Sequence, residues 1–209
     1  MTIRALRDEA ALVAVERPQG TLWSAFTTLY LETFRTWERE PLPRIARRLA
    51  AGRYRLAMLQ LGDEPAGFYL LDRVAALDYA ALTFLALRPS FRGRGLGRRL
   101  LQHALSRFQA GPGPAWLFVE AEAEPAGFYR HCGLRQLVLD YRVPHYASVT
   151  TMQPMALLTV HRDGPVGSID GKWLRRVVKH LFVDGYQLSP DDPRLAQQLQ
   201  QVPDVVGVH

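Results

Sequence analysis

Apolar residues spaced three and four positions apart predict the helices in the first half of the chain. Residues 20–37 carry one such stripe, and residues 41–52 carry a shorter one that opens on prolines and stops at Gly52. A third stripe begins at Leu96 and returns at positions 100, 101, 104, 105 and 108. This third pattern is typical of a helix buried on one face.

Continuous apolar runs that end at turn residues predict the strands. Residues 53–74 read as a hairpin around Gly-Asp-Glu-Pro, and residues 79–89 form an apolar run ended by proline, as in a central strand. Further strands are predicted at 116–121, 135–143 and 150–160, with a short helix at 124–134. The order of elements indicates a mixed α/β domain over residues 1–160.

A different segment follows residue 160. It contains six large apolar residues at helical spacing: Trp173, Leu174, Val177, Val178, Leu181 and Phe182. A second short helix is predicted over residues 191–202. We expect residues 161–209 to be a helical extension packed on the domain or at an interface with a second copy. A homodimer is the expected form if the chain's own domain leaves the helix uncovered.

Composition narrows the class of protein. Of the 209 residues 48% are hydrophobic and 22% are charged, which excludes a disordered chain. The net charge of +6 suits an anionic ligand. Binding of nucleic acid through the basic surface is a weak alternative, because no helix-turn-helix pattern or aromatic-rich basic strand is present. Nucleic acid is therefore not an expected partner.

The cysteine count and the hydropathy of the chain limit the cofactors and the cellular compartment to be expected. The one cysteine, Cys132, excludes an intramolecular disulfide and a cysteine-based zinc site. No histidine–carboxylate cluster has metal-ligand spacing, so no metal is expected. The first residues lack the apolar core of a signal peptide, and no apolar run approaches the ~18 residues of a membrane span. The sequence predicts a cytoplasmic protein without a membrane partner.

Residues 89–101, PSFRGRGLGRRLL, collect glycine and arginine immediately before the third helix. Glycine at a helix start lets backbone N–H groups approach a ligand, and the helix dipole there favours an anion such as phosphate. The glycine spacing does not fit a dinucleotide-binding fingerprint, because positions 98 and 100 are Arg98 and Leu100. A Walker A loop is excluded too, since no Gly-Lys-Ser/Thr follows.

The strand at residues 79–89 and the loop after it resemble the GNAT family of N-acetyltransferases. Arg92-Gly93-Arg94-Gly95-Leu96-Gly97 resembles the family's acyl-CoA signature, [RQ]-x-x-G-x-[GA]. Residues 127–134, GFYRHCGL, resemble its FYxxxGF segment. The resemblance covers roughly residues 1–160. It implies a mainly antiparallel central sheet flanked by helices, with acetyl-CoA as cosubstrate.

The resemblance also implies roles for individual residues. Backbone groups near Leu85, Ala86 and Leu87 would polarise the thioester carbonyl of acetyl-CoA. The loop would hold the pyrophosphate, through Arg92, Gly93, Arg94, Gly95, Leu96, Gly97 and Arg98. Tyr129 would be the general acid for the leaving thiolate, since a phenol stays protonated at neutral pH.

The general base is less well defined by the sequence. The family often has a glutamate on the central strand, but residues 79–87 contain no carboxylate. Glu120, at the end of the next strand, is the first candidate and Asp78 the second, and each is also compatible with a solvated strand end. Glu122 stands where the family frequently has an asparagine that contacts CoA.

The predicted function is transfer of an acetyl group from acetyl-CoA directly to a primary amine. A small amine, an aminoglycoside-like drug, a polyamine and a protein N-terminus or lysine all stay open as acceptors. The alternative is an acyl-CoA sensor of the same fold that does not turn acetyl-CoA over. The missing strand carboxylate and Glu122 are the features that favour this alternative.

Overall fold

The computed structural model describes residues 10–146, 148 and 150–209. Its helices are α1 (Gly20–Thr33), α2 (Leu42–Ala50), α3 (Leu96–Gln109), α4 (Ala123–His131), α5 (Gly171–His180) and α6 (Pro193–Gln200). Its strands are β1 (Ala10–Val15), β2 (Tyr54–Leu61), β3 (Glu64–Val74), β4 (Tyr79–Leu87), β5 (Trp116–Ala121), β6 (Arg135–Gln136), β7 (Tyr141–Pro144), β8 (Met152–His161), β9 (Ser168–Asp170) and β10 (Val205–Gly207). This mixed, mainly antiparallel arrangement flanked by helices confirms the predicted fold class.

Contacts divide the chain into two compact units. Among the described residues, the first unit comprises residues 10–35, 41–74 and 80–113, and the second comprises residues 36–40, 75–79 and 114–209 apart from 147 and 149. The division differs from the sequence-based one, in which residues 1–160 form one domain. That boundary near residue 160 stays a prediction.

The first unit is built on β1, β2, β3 and β4 in that spatial order. β2 pairs antiparallel with β1 and with β3, so that Leu56 lies opposite Val15 on one side and Leu70 on the other. α1 covers these strands with its apolar stripe. Phe26 packs edge-on against Phe68, with ring centroids 4.9 Å apart, and Tyr30 against Phe84 at 5.0 Å. These aromatic contacts form the centre of this unit's core.

The second unit is built around β8, which pairs antiparallel with β5, β6 and β7. Its register places Glu120 of β5 opposite Leu157, and Tyr141 of β7 opposite Met155. α4 packs against β5 and β8. Glu120 and Tyr141 therefore lie opposite two residues of β8 that are two positions apart.

The C-terminal segment packs within the second unit through the apolar face of α5. Leu174, Val177, Val178 and Phe182 are completely buried. Trp173 lies against Trp116, with ring centroids 5.5 Å apart, and its indole N–H donates to the carbonyl of Leu77. Because the chain itself covers this face, the face gives no argument for a dimer. The homodimer stays a prediction.

The predicted strand at residues 135–143 is wrong as a single element. The structure has two short strands there, β6 and β7, because the register on β8 shifts between them: Gln136 lies opposite Leu158, and Tyr141 lies opposite Met155. Leu137 forms an isolated bridge with Val208, and the N–H of Val138 donates to the carbonyl of Gly207. The last residues of the chain thus pair with residues 136–138, while the N–H of Leu137 still donates to the carbonyl of Leu157 on β8.

Burial of α5 is expected to be a major contribution to stability. Leu174 is completely buried, whereas Leu31 on α1 is 46% exposed. Leu174→Ala removes buried apolar volume and should lower the free energy of unfolding by about 2–5 kcal/mol. Leu31→Ala, as the matched control, should change it by less than about 0.5 kcal/mol. Urea denaturation of both variants measures the difference, and equal midpoints would contradict the packing described here.

Candidate active site

The first unit presents a glycine-rich turn at the start of α3. Gly93 and Gly95 adopt positive φ angles of 74° and 76°, which side chains other than glycine rarely tolerate. Gly95 caps the helix without any side-chain hydrogen bond. The first N–H groups of the helix, at Leu96, Gly97 and Arg98, have no acceptor within the helix. The turn therefore presents backbone donors at the positive end of the helix dipole.

The arginines of this turn are partly engaged within the protein. The guanidinium of Arg92 donates to the carbonyl of Leu87 at 3.3 Å. Arg94 lies over the ring of Phe91, 5.7 Å from its centroid, and Arg99 donates to the backbone carbonyl of Ala10. Arg98 is exposed. Backbone donors, more than arginine side chains, define the anion-binding character of the turn.

The end of β4 is held closely against β3. The N–H of Arg88 donates to the carbonyl of Ala66 at 2.8 Å. A Cβ atom on Gly67 would lie 2.5 Å from the carbonyl oxygen of Ala86, a contact too short for any side chain. Gly67 therefore lets the backbone of β3 approach Leu85–Leu87, the segment predicted to act through its backbone. The sequence reading did not single out Gly67.

In the second unit, the carboxylate of Glu120 is held by two tyrosine hydroxyls. Tyr141 donates to Oε1, and Tyr186 donates to Oε2 at 2.8 Å. Burial raises the pKa of Glu120 above its ordinary value, because the protein surroundings disfavour the charged form. The two hydrogen bonds act in the opposite direction, since they stabilise the carboxylate. The result is a carboxylate that takes up a proton more readily than an ordinary glutamate.

The two tyrosines themselves remain neutral. Burial and the nearby carboxylate of Glu120 both raise the pKa of Tyr141 and of Tyr186 well above the ordinary value. Sequence reasoning missed both residues. Tyr141 lies in the stretch predicted as one strand, and no local signal connects Tyr186 with a residue 66 positions earlier in the chain.

Asp78, the second candidate for the base, has a different environment. Its side chain is exposed, and its Oδ1 accepts a hydrogen bond from the N–H of Ala115 at 2.8 Å. Its backbone has a positive φ of 57°, a conformation that aspartate tolerates better than most residues. This carboxylate fixes the loop that leads into β5. Asp78 is thus exposed and engaged with the loop before β5, whereas Glu120 is held by two tyrosine hydroxyls.

Tyr129 lies on α4 and is 7% exposed. Its ring packs against Phe128, with centroids 5.2 Å apart. Burial raises the pKa of Tyr129 above its ordinary value, so the phenol keeps its proton at neutral pH. A neutral phenol is the form that a proton donor needs.

Glu122 joins a second set of polar contacts in the same unit. Its carboxylate accepts a hydrogen bond from the amide of Gln153, whose carbonyl oxygen lies 3.1 Å from Nε2 of His145. The imidazole of His145 stacks on Trp37 at 5.8 Å. Glu122 is therefore part of a local side-chain network.

Among the described residues, no group of three or more histidine, cysteine, aspartate or glutamate side chains is arranged to hold a metal ion. In that same part of the chain, no helix has both the length and the apolar character that a membrane crossing requires.

Comparison with known protein families identifies the family of this chain. The family model described as acetyltransferase (GNAT) family matches residues 23–134, more than half of the chain. The chain belongs to the GNAT family of acetyltransferases. This confirms the resemblance found in the sequence, and members of the family use acetyl-CoA.

Solved structures of GNAT proteins have the same fold. A GNAT-family protein from Bacteroides thetaiotaomicron is 20% identical, with a TM-score of 0.65, and the match covers 80% of this chain and 93% of that one. The ribosomal-protein-S18-alanine N-acetyltransferase of Escherichia coli is 19% identical (TM-score 0.55; 76% and 96% covered). A dodecameric spermidine N-acetyltransferase from Vibrio cholerae is 14% identical (TM-score 0.56; 75% and 95% covered). Among curated proteins, none matches this chain in sequence.

The match to the GNAT family model includes some of the candidate residues and excludes others. The glycine turn, Glu120 and Tyr129 lie within the matched residues, 23–134. Tyr141 and Tyr186, which hold the carboxylate of Glu120, lie beyond them. The immediate environment of Glu120 is therefore a property of this chain that the family model does not describe.

Proposed function

We propose that this GNAT protein transfers the acetyl group of acetyl-CoA to a primary amine, with Glu120 as the general base. One observation carries the proposal: the carboxylate of Glu120 is held at both oxygens by neutral tyrosine hydroxyls, and its pKa is raised. An amine is protonated at neutral pH and must lose a proton before it can attack. A carboxylate with a raised pKa suits that task.

Acetyl-CoA would bind through the glycine turn of the first unit. Its pyrophosphate would be held by the backbone donors of Arg92, Gly93, Arg94, Gly95, Leu96 and Gly97, with Arg98 as an additional cation. The residues fit this ligand because a Cβ at Gly93 would meet nothing within 4 Å, so the backbone stays open to it. Backbone groups of Leu85, Ala86 and Leu87 would polarise the thioester carbonyl.

The proposed reaction consumes an ammonium ion and acetyl-CoA and yields an N-acetyl amine, CoA thiol and one proton. Glu120 accepts the first proton from the ammonium and passes it to solvent. The amine nitrogen then attacks the carbonyl carbon, so that a C–N bond forms and the C–S bond breaks with its electron pair on sulfur. Tyr129 donates a proton to the leaving sulfur and regains one from the nitrogen. Asp78 stays a secondary candidate for the base.

The acceptor amine belongs to a small molecule or to a protein. The structurally similar GNAT proteins include enzymes named for spermidine and for the alanine of ribosomal protein S18. These names suggest spermidine and a peptide that begins with alanine as first acceptors to test. A lysine peptide and an aminoglycoside, which the sequence leaves open, complete the panel. We also propose a cytoplasmic location, without nucleic acid or membrane as partner.

The function is tested by release of CoA thiol from acetyl-CoA in the presence of each amine of this panel. We expect release with at least one amine, and a decrease in kcat of about 10²–10⁴-fold in Glu120→Gln, because glutamine has the same shape but cannot accept the proton. Binding of acetyl-CoA without release for any amine would contradict the proposal and favour the sensor. Full activity of Glu120→Gln would refute Glu120 as the base.

The binding of CoA at the glycine turn is tested by Gly95→Glu. This change places a carboxylate beside the donors proposed to hold the pyrophosphate, and we expect no measurable binding of CoA by calorimetry. Gly111→Glu is the matched control, because Gly111 also has a positive φ and is exposed, but follows the other end of α3. Its affinity should stay close to that of the wild type. An unchanged affinity in a folded Gly95→Glu variant would contradict the assignment.

The role of Tyr129 is tested by Tyr129→Phe, which removes only the hydroxyl. We expect kcat to fall by about 10²–10⁴-fold, because the thiolate would leave without a proton donor. The affinity for CoA, measured by calorimetry, should stay nearly constant. A variant that turns over like the wild type would show that Tyr129 contributes packing alone.

A further inference from the structure

The C-terminal segment reaches the carboxylate proposed to be the base. Tyr186 follows the π-helical turn Leu181–Gly185 at the end of α5, and its hydroxyl donates to Oε2 of Glu120 at 2.8 Å. The other oxygen, Oε1, accepts from Tyr141 of β7. Both tyrosines lie outside the residues matched by the family model.

We propose that Tyr186 and Tyr141 are positioning residues for Glu120, so that residues 161–209 complete the active site through Tyr186. The inference rests on the proposed function, in which Glu120 accepts the proton of the amine. The tyrosines act through Glu120 alone and take no part in bond making or breaking.

The sheet register explains how Tyr141 meets Glu120. Tyr141 lies opposite Met155 of β8, and Glu120 lies opposite Leu157 of the same strand. Residues directly opposite each other in an antiparallel pair project to the same face, and so do positions two apart along a strand. The pairing therefore brings both side chains to one face of the sheet.

Packing fixes the hydroxyl of Tyr186. The N–H of Tyr186 donates to the carbonyl of Leu181, and its ring lies 5.9 Å from Phe182, which is completely buried. On another side its ring lies 5.1 Å from Tyr146. A tyrosine ring has only two rotatable bonds, so these contacts leave its hydroxyl little freedom to move away from Glu120.

Two phenols hold a carboxylate without cancelling its charge. An arginine or lysine partner would pair with the carboxylate and lower its pKa, whereas neutral hydroxyls orient it and leave it basic. A carboxylate offers about four lone-pair sites, of which these hydrogen bonds use two. These hydrogen bonds therefore leave one lone-pair site on each oxygen unused, and the proposal assigns such a site to the proton of the ammonium group.

The direction of the pH effect follows from these contacts. Tyr141 from β7 and Tyr186 from the turn after α5 are the titratable side chains in hydrogen-bond contact with Glu120, while β8 offers Leu157 opposite it. Tyr79 raises the pKa of Tyr141, and Tyr146 raises the pKa of Tyr186. Both therefore act on Glu120 only through these two tyrosines. Removing one hydroxyl removes a donor that stabilises the carboxylate. The pKa of Glu120 should then rise, and the acid limb of the pH–rate profile should move to higher pH.

The competing explanation is that the hydroxyl of Tyr186 only attaches the C-terminal segment to its unit. Tyr79 provides the matched control for this explanation. Tyr79 is 1% exposed, and Tyr186 is half-buried. The hydroxyl of Tyr79 lies 2.7 Å from Nδ1 of His180 on α5. Tyr79→Phe thus removes one hydroxyl contact to the same segment without touching Glu120.

The experiment uses the full-length chain and two measurements on each variant. The first is the titration of the Glu120 carboxyl carbon by ¹³C NMR, with no substrate added. The second is the pH dependence of kcat/KM with acetyl-CoA and a panel amine that the wild type acetylates. In Tyr186→Phe both should shift upward by about one pH unit, the size expected for one hydrogen bond to a charged group. In Tyr79→Phe both shifts should be much smaller, because Tyr79 reaches Glu120 only through Tyr141.

Each outcome decides a different point. A folded Tyr186→Phe variant whose Glu120 titration does not move would overturn the positioning role. An equal shift in Tyr79→Phe would overturn it as well, since attachment of the segment would then explain the effect. A shift in the NMR titration with an unchanged pH–rate profile would refute Glu120 as the base, and with it the proposed mechanism. Tyr141→Phe, measured in the same way, replaces Tyr186→Phe if that variant does not fold.

Discussion

Burial of the apolar face of α5 is the constraint on which the second unit depends. Leu174, Val178 and Phe182 are completely removed from water, and Trp173 packs against Trp116 of β5. Fully burying each such side chain stabilises a fold by about 1.5–3 kcal/mol, so together they offset the entropy lost when the segment is ordered. Because the helix is held in this way, the turn after it is placed where Tyr186 can reach Glu120.

The candidate residues of the two units depend on different interactions: backbone donors in the first unit and ionisable side chains in the second. In the first unit, the proposed binding of an anion at the glycine turn would depend on backbone N–H groups and the dipole of α3. Neither depends on side-chain ionisation, so this feature is insensitive to ordinary changes of pH. In the second unit the basicity of Glu120 arises from burial, opposed by two hydrogen bonds. That balance depends on side chains from three elements and is correspondingly sensitive to substitution.

The environment of Glu120 also bears on the choice between enzyme and sensor. The sequence offers no carboxylate on β4, a feature that favours a protein without turnover. In the proposed mechanism, the carboxylate at the end of β5, held at both oxygens by tyrosine hydroxyls, would supply a base from a different strand.

Local features of this protein could be read from the sequence because their causes are local. The glycine turn depends on residues within six positions, and the stripe of α3 follows from helical periodicity alone. The hairpin of β2 and β3 and the buried strands β4 and β5 were predicted for the same reason. Glu120 and Tyr129 were named as candidates from the strand end and the FY segment, and their roles stay proposals.

Tertiary structure alone decided the rest. β6 and β7 are separate because their register on β8 shifts between Gln136 and Tyr141, and the last residues of the chain bond to residues 136–138. Tyr141 and Tyr186 meet at Glu120 because β7 pairs with β8 and because the apolar face of α5 is buried. Residue type and periodicity indicate which face of a helix or strand is apolar. They do not indicate which distant element packs against that face. The identity of the residues around Glu120 therefore follows from packing between segments far apart in the chain.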